Sequence, residues 1–272
     1  MPVLPVIILT PARAPIPFQT IAKFSMAHST ELSPIEVDPF YVEDLRQMAL
    51  AENYRRWQFE IVAPFVSGTV LEVGGGIGNF TTDLAGIANN VVSIEPNEYC
   101  FKQLVEKTRD LKNVATHRAT VESLDHKIPL AQHMDTVILM NVLEHIQDDK
   151  AVLAKLHQRL KPAGRIVVLV PAGQWAFGST DERLGHYRRY SKKYSRKLIA
   201  SLGMEIEKVR YYNFIGIWAW WWNAKFAKRQ NQSNAQIKLF DKVLVPIISR
   251  FEKFLPPPVG QSLLLVGRKK QK

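Results

Sequence analysis

The chain has 272 residues, 46% hydrophobic and 22% charged, with a formal net charge of +11 and one cysteine. That length suits one large core or a domain with an elaboration, and the lone Cys100 excludes an internal disulfide framework or a Cys-rich zinc site. The lone cysteine also points to a reducing compartment, so a cytoplasmic protein is expected; the longest aromatic run, 214–222, is about half of the 18 or so apolar residues that a bilayer-spanning helix needs.

The charge is unevenly placed. Residues 1–182 hold 16 Lys and Arg against 21 Asp and Glu, whereas residues 183–272 hold 20 against 4. A basic final third suits an anionic partner, either a lipid headgroup, nucleic acid or a phosphorylated substrate; the plainer alternative is a solvated basic face.

Residues 1–40 hold seven of the sixteen prolines and no acidic residue before Glu31. Such a stretch favours a disordered or loosely docked arm over regular helix or a packed core. Pro5 within the apolar run 3–9, with no basic residue ahead of it, argues against a secretory signal. An acid-poor organelle leader and a true start at Met26 are the alternatives.

From residue 41 onward, strand and helix patterns alternate. Apolar β-branched runs fall at 69–73, 91–95, 114–118, 136–140 and 166–170, and most of the segments between them are of helical length and periodicity. This is βαβ repetition, which gives a parallel sheet with helices on both faces. Strand patterns at 205–212 and 262–268 bring the sheet to seven. The intervening segment 213–260 is far longer than a hairpin requires and reads as a helical insertion. The division expected is an arm at 1–40, a core at 41–212, the insertion at 213–260, and a last strand with a basic tail at 261–272.

The stretch VLEVGGGIGNFT, residues 70–81, leads from a buried strand into a helix through Gly74, Gly75, Gly76 and Gly78. Bare backbone there either lets a ligand approach or simply makes a tight turn. The G-x-G-x-x-G dinucleotide fingerprint is not met, because Asn79 stands at the third glycine, and no Lys-Ser/Thr pair completes a P-loop. Glu95, in VVSIEP at the end of the second strand, is placed to accept hydrogen bonds from vicinal ribose hydroxyls.

Four segments together, VLEVGGGIGNFT, VVSIEPN, DTVILMNVLEHIQDD and LKPAGRIVVLVPA, resemble in order and spacing the successive motifs of class I S-adenosylmethionine-dependent methyltransferases. The resemblance covers about residues 50–212. It implies a Rossmann-like α/β fold, a seven-stranded and mostly parallel sheet with its last strand antiparallel, and S-adenosylmethionine as cofactor. It also implies that Glu72 and the Gly74–Gly78 backbone face the methionine part of the cofactor, that Glu95 with the adjoining Pro96 holds the ribose, and that Asn141 lies near the transferred methyl. The family often ends its third strand in Gly-Asp beside the adenine. Here Ala119-Thr120 stands instead, with Thr120 or Glu122 as the substitute contact.

Methyl transfer from a sulfonium needs an acceptor held in line, and a base only if the acceptor has a proton to lose. The segment STDERLGHYRRYS, which resembles that of a subgroup of the same family, is the expected acceptor side. His186, beside Tyr187, is the candidate base, unless it only ties the loop to Glu144 or Asp181. Arg188 and Arg189 suit a bidentate clamp on phosphate or carboxylate, or pairing with nearby acids. Tyr190 and His145 complete the expected acceptor and cofactor walls, and no metal is expected.

In FIGIWAWWWNAKFAKR, residues 214–229, Phe214, Trp218, Trp222 and Phe226 recur at i, i+4 spacing, followed by Lys225, Lys228 and Arg229. Farther on, Ile237, Phe240, Leu244, Ile247, Ile248, Phe251 and Leu255 form a helical stripe, with Pro246 expected to kink it. Tryptophans beside basic residues suit a membrane interface. The alternative is that both helices pack on the core as a lid, with Trp218 and Trp222 lining the acceptor pocket. The function expected is methylation of an amphipathic, lipid-linked or saccharide small molecule at an anionic membrane. An RNA methyltransferase and a non-catalytic cofactor-binding regulator are the other readings.

Overall fold

The computed structural model describes residues 50–124, 134–222 and 239–271. The expected arm at 1–40, Met26, and the basic residues Lys225, Lys228 and Arg229 lie outside the described residues.

The strands are β1 (Thr69–Val73), β2 (Asn90–Ile94), β3 (Val114–His117), β4 (Met134–Met140), β5 (Leu160–Pro171), β6 (Glu205–Tyr212) and β7 (Ser262–Arg268). They form one sheet in the order β3-β2-β1-β4-β5-β7-β6. β1 to β5 pair in parallel, and β7 is antiparallel to both β5 and β6. Successive side chains point to opposite faces, so the two faces feed separate cores. Leu71, Val92, Val137, Val168 and Leu265 belong to one; Val70, Val91, Ile138, Val167 and Leu264 belong to the other. Burial on both faces is why these strands read as unbroken apolar runs. β5 begins several residues earlier than its apolar run, because Lys161 to Gly164 pass through a register irregularity against β4, with Ala163 at φ 62°.

The helices are α1 (Glu52–Val62), α2 (Asn79–Ala85), α3 (Glu98–Thr108), α4 (Asp149–Arg159), α5 (Ser179–Arg183), α6 (Lys192–Ser201), α7 (Phe214–Trp222) and α8 (Val245–Phe254). Four have local N-caps. Asn97, Asp148, Ser191 and Asn213 accept hydrogen bonds from the amides of Cys100, Ala151, Tyr194 and Gly216, satisfying donors that the helix itself leaves unpaired.

α8 departs from its sequence pattern. Pro246 starts the helix after a π-helical turn at Phe240–Leu244, in place of the expected kink. A wider turn accommodates a residue that has no N–H and crowds the carbonyl four positions back. The inward face is Asp241, Val245, Ile248 and Glu252, all buried, while Leu244, Ile247, Phe251 and Leu255 of the expected apolar stripe are exposed. The buried acids explain this inversion. Asp241 accepts from the amides of Asn53 (3.2 Å) and Tyr54 (2.8 Å) at the start of α1. Glu252 accepts from the amides of Asn213 (2.9 Å) and Phe214 (2.8 Å) at the start of α7. α1 has Ala51 at its N-cap and no local side-chain cap, so a carboxylate from a distant segment supplies both the acceptor and the favourable charge at the positive helix end.

Candidate active site

The C-terminal ends of β1, β2 and β4 hold the glycine loop and the two predicted carboxylates. The amides of Gly74 and Gly75 both donate to the Ile94 carbonyl, at 2.9 and 3.0 Å, folding the loop back over β2. Gly74 has φ +76°, and a Cβ there would lie 2.5 Å from a Val142 methyl; at Gly75 a Cβ would lie 2.2 Å from Ser93 Oγ. These two glycines are therefore required by the protein's own packing as well as by any ligand.

Glu72 is buried, and its Oε2 accepts from Thr81 and Ser93 hydroxyls, each at 2.6 Å. Burial pushes its carboxyl upward against those hydrogen bonds. Its role in this structure is to tether the loop. Glu95 accepts from Gly76 N through Oε2 (2.8 Å) and from Asn97 N through Oε1 (2.9 Å). Burial raises its pKa to about 7, although both amides pull it down. One lone pair on each oxygen is used, which leaves one on each for a pair of ribose hydroxyls. Glycine backbone that lines a cleft beside a carboxylate of this capacity fits the cofactor that the sequence implies.

A cleft opens beside this loop. Gly74 to Gly76, Met140 and Asn141 line it, together with Glu144, His145, His186, Arg189 and Trp220. Asn141 sits at φ 54°, with its amide donating to the Leu169 carbonyl at 2.8 Å. A non-glycine residue held in the left-handed region at a strand end is a strained position typical of functional sites.

One buried aspartate organises the expected acceptor segment. Asp181 Oδ1 meets His186 Nδ1 at 2.9 Å and Arg189 Nε at 2.8 Å, while Oδ2 accepts from Gly178 N at 3.0 Å. These contacts hold the Asp181 carboxyl below its usual range despite burial. The rings of His145 and His186 meet edge to face, 4.7 Å between centroids. Burial, then the neighbouring His186, lowers the His145 pKa to about 4, so His145 is neutral at physiological pH. Burial raises Glu144 to about 8, and its Oε2 has no hydrogen-bond partner.

The other predicted residues are placed as follows. Arg188 pairs with Asp149 (3.0 Å) and donates to the Gln147 carbonyl (2.6 Å). Arg189 is committed to Asp181 and to the Ala172 carbonyl, and it lies over the Trp220 ring at 4.6 Å. Both guanidinium groups thus serve the loop, which is the alternative to a substrate clamp. Tyr190 is fully buried and donates to the Leu143 carbonyl and to Asp149, each at 3.1 Å. Tyr187 is 53% exposed, outside the lining of the cleft. Thr120 closes a turn with Ser123 (3.3 Å to the Ser123 amide), and the Pro96 carbonyl accepts from Arg118 at 3.5 Å; neither lines the cleft. Trp218 packs on Trp175 and Trp221 at the outer surface. Trp220 lines the cleft, and the Trp222 side chain lies outside what the structure describes. Gln58 and Tyr54 of α1 also line it, and no sequence motif marked them.

Comparison with known proteins places this geometry. A family model described as a methyltransferase domain matches residues 43–232. The ubiquinone/menaquinone biosynthesis C-methyltransferase of Shewanella frigidimarina is 25% identical over 171 residues, covering 61% of this chain and 64% of that protein. The corresponding protein of Shewanella oneidensis is 25% identical over 173 residues, with the same coverage. The chain thus spans 64% of the length of these curated relatives. A methyltransferase structure from Thermotoga maritima superposes with a TM-score of 0.59 at 17% identity, covering 85% of this chain and 96% of that one. One from Archaeoglobus fulgidus gives 0.55 at 15% identity, covering 85% and 100%; likenesses this distant speak to the fold alone. With a family match across most of the described core, a sheet of the expected order, and a glycine loop facing Glu95 and Asn141, the chain belongs to the class I S-adenosylmethionine-dependent methyltransferases.

Proposed function

We propose that the chain transfers a methyl group to an amphipathic, lipid-linked or saccharide acceptor that it meets at an anionic membrane surface. The observation that carries the chemistry is the cleft itself, lined by both the Gly74–Gly76 backbone with Asn141 and the Asp181-backed His186. S-adenosylmethionine supplies an electrophilic methyl on a sulfonium sulfur. Glu95 holds the ribose hydroxyls, and the glycine backbone and Asn141 bound the methionine end. Asp181 takes the Nδ1 side of His186 (2.9 Å), which leaves the Nε2 lone pair to accept a proton from an acceptor hydroxyl or activated carbon. Neutral His145 and the Trp220 ring give the acceptor a weakly polar wall.

The membrane part of the reading rests on the outer face of α8. Ile247 (51%), Phe251 (73%), Phe254 (85%) and Leu255 (77%) are exposed together, with Arg250 exposed on α8 and Lys242 exposed on the π-helical turn before it. Large apolar residues gathered beside cations suit an anionic lipid surface better than water. Among the described residues, no helix is long and apolar enough to cross a membrane. Relatives named for ubiquinone/menaquinone biosynthesis support a lipid-like acceptor.

Incubation with methyl-labelled cofactor and separate lipid, small-molecule and RNA fractions tests this. Label is expected in the lipid extract, and His186→Gln should cut the rate by about 10²–10⁴-fold, the usual worth of a positioned base. Label in the RNA fraction alone would overturn the acceptor assignment.

A further inference from the structure

Glu144, His145 and His186 each offer one ligand atom, and these atoms lie within 4.8 Å of one another on the cleft wall. Two further features distinguish the trio from a chance polar cluster. Glu144 is 1% exposed, and its Oε2 has no partner, a costly state unless a donor or cation reaches it. Both imidazoles are also held from behind. Asp181 takes the Nδ1 side of His186 at 2.9 Å, and the His145 ring is hydrogen-bonded to the backbone at Leu184 and Gly185. A carboxylate or carbonyl behind each ring is how proteins orient metal-binding histidines and fix the tautomer.

We propose that Glu144, His145 and His186 bind one divalent first-row transition ion, whose remaining coordination positions face the cleft. Two imidazoles and one carboxylate form a donor set for Zn2+, Mn2+ or Fe2+, whereas Mg2+ and Ca2+ prefer oxygen alone. Bonds of about 2.1 Å bring neighbouring ligand atoms to about 3 Å apart, a contraction within reach of side-chain rotation. Arg189 does not oppose the ion strongly, because its guanidinium is paired with Asp181 at 2.8 Å. The open positions would receive an acceptor oxygen, a use that rests on the proposed function; the ion site itself does not. With an ion bound, the His186 Nε2 would be a ligand, so the base role proposed above belongs to the metal-free chain.

The test uses tag-free full-length chain, stripped with chelator and titrated with Co2+, whose visible spectrum reports imidazole ligation. One equivalent is expected to bind in the wild type. Glu144→Gln and His145→Gln should each weaken binding at least 10-fold while keeping S-adenosylhomocysteine affinity within about twofold, which also shows that they fold. His186→Gln is the third variant, should either of those not fold. No stoichiometric Co2+ uptake, or uptake unchanged in the folded variants, overturns the ion site. A stripped chain that methylates lipid at full rate and takes up no Co2+ overturns the ion site alone. A chain that binds Co2+ and methylates only RNA upholds the site and overturns the acceptor reading.

Discussion

Replacing Phe251 and Phe254 by Ser separates a lipid-facing α8 from one that packs against protein. The two rings are 73% and 85% exposed, so nearly all of their apolar area is available to a membrane. Full burial of one such side chain is worth about 1.5–3 kcal/mol. Immersion of both to about half depth therefore gives roughly 2 kcal/mol, close to a 30-fold change in partitioning. Lys242 and Arg250 each add about 1 kcal/mol near an anionic surface, a contribution that salt screens. Because the rings are solvated in the free protein, the double variant should change stability by no more than about 0.5 kcal/mol. Co-sedimentation with vesicles of anionic or neutral lipid measures the first effect, and a thermal melt measures the second. The wild type is expected to pellet with anionic vesicles at low salt, the double variant about 30-fold less, with equal melting temperatures. Equal partitioning of the two proteins would refute the lipid-facing reading. A melting temperature lowered by several degrees would refute the premise that this face is free.

Glu95→Ala should weaken S-adenosylhomocysteine binding by about 1.5–3 kcal/mol in calorimetry, the range for hydrogen bonds to a charged group. Glu95 also predicts a pH dependence: its folded pKa of about 7 exceeds the unfolded value of about 4.3, so the native state binds more protons between the two. Its contribution to stability is accordingly present below about pH 4 and lost as pH rises through 7, and Glu95→Gln should flatten that slope in melts run from pH 4 to 8. Gly74→Ala combines a left-handed backbone cost of about 1–2 kcal/mol with an overpacking cost of about 1–3 kcal/mol against Val142; denaturant titration should show a loss of about 2–5 kcal/mol, and a loss below 1 would mean that the loop relaxes freely. Asp241→Ala removes the cap from the start of α1 and should cost about 1–2 kcal/mol in the same assay.

Several features of this protein were legible in residue order alone. The five central strands, β2, β1, β4, β5 and β7, follow from apolar runs buried on both faces, and the turn after β1 follows from its glycines, of which Gly74 and Gly75 leave no room for a Cβ. Glu95 was legible because a carboxylate at the end of the second strand has one obvious neighbour, the glycine loop. The contact between His186 and Asp181 was within reach for a similar reason, since only five positions of chain separate them. Periodicity found the stripe of α8 but left open whether it faces the core or the outside; the buried acids Asp241 and Glu252, which cap α1 and α7 from far along the chain, orient it. For Arg188 and Arg189 residue order left an anion clamp and pairing with nearby acids both open, and folding places Asp149 and Asp181 against them. Trp220, and not Trp218, walls the cleft because Arg189 lies over its ring. The orphaned carboxylate of Glu144 could be found only in three dimensions, because the satisfaction of a buried polar atom depends on which distant groups surround it. Short-range pattern records which residues prefer burial; the pairing of buried charges is decided by segments that the chain order keeps apart.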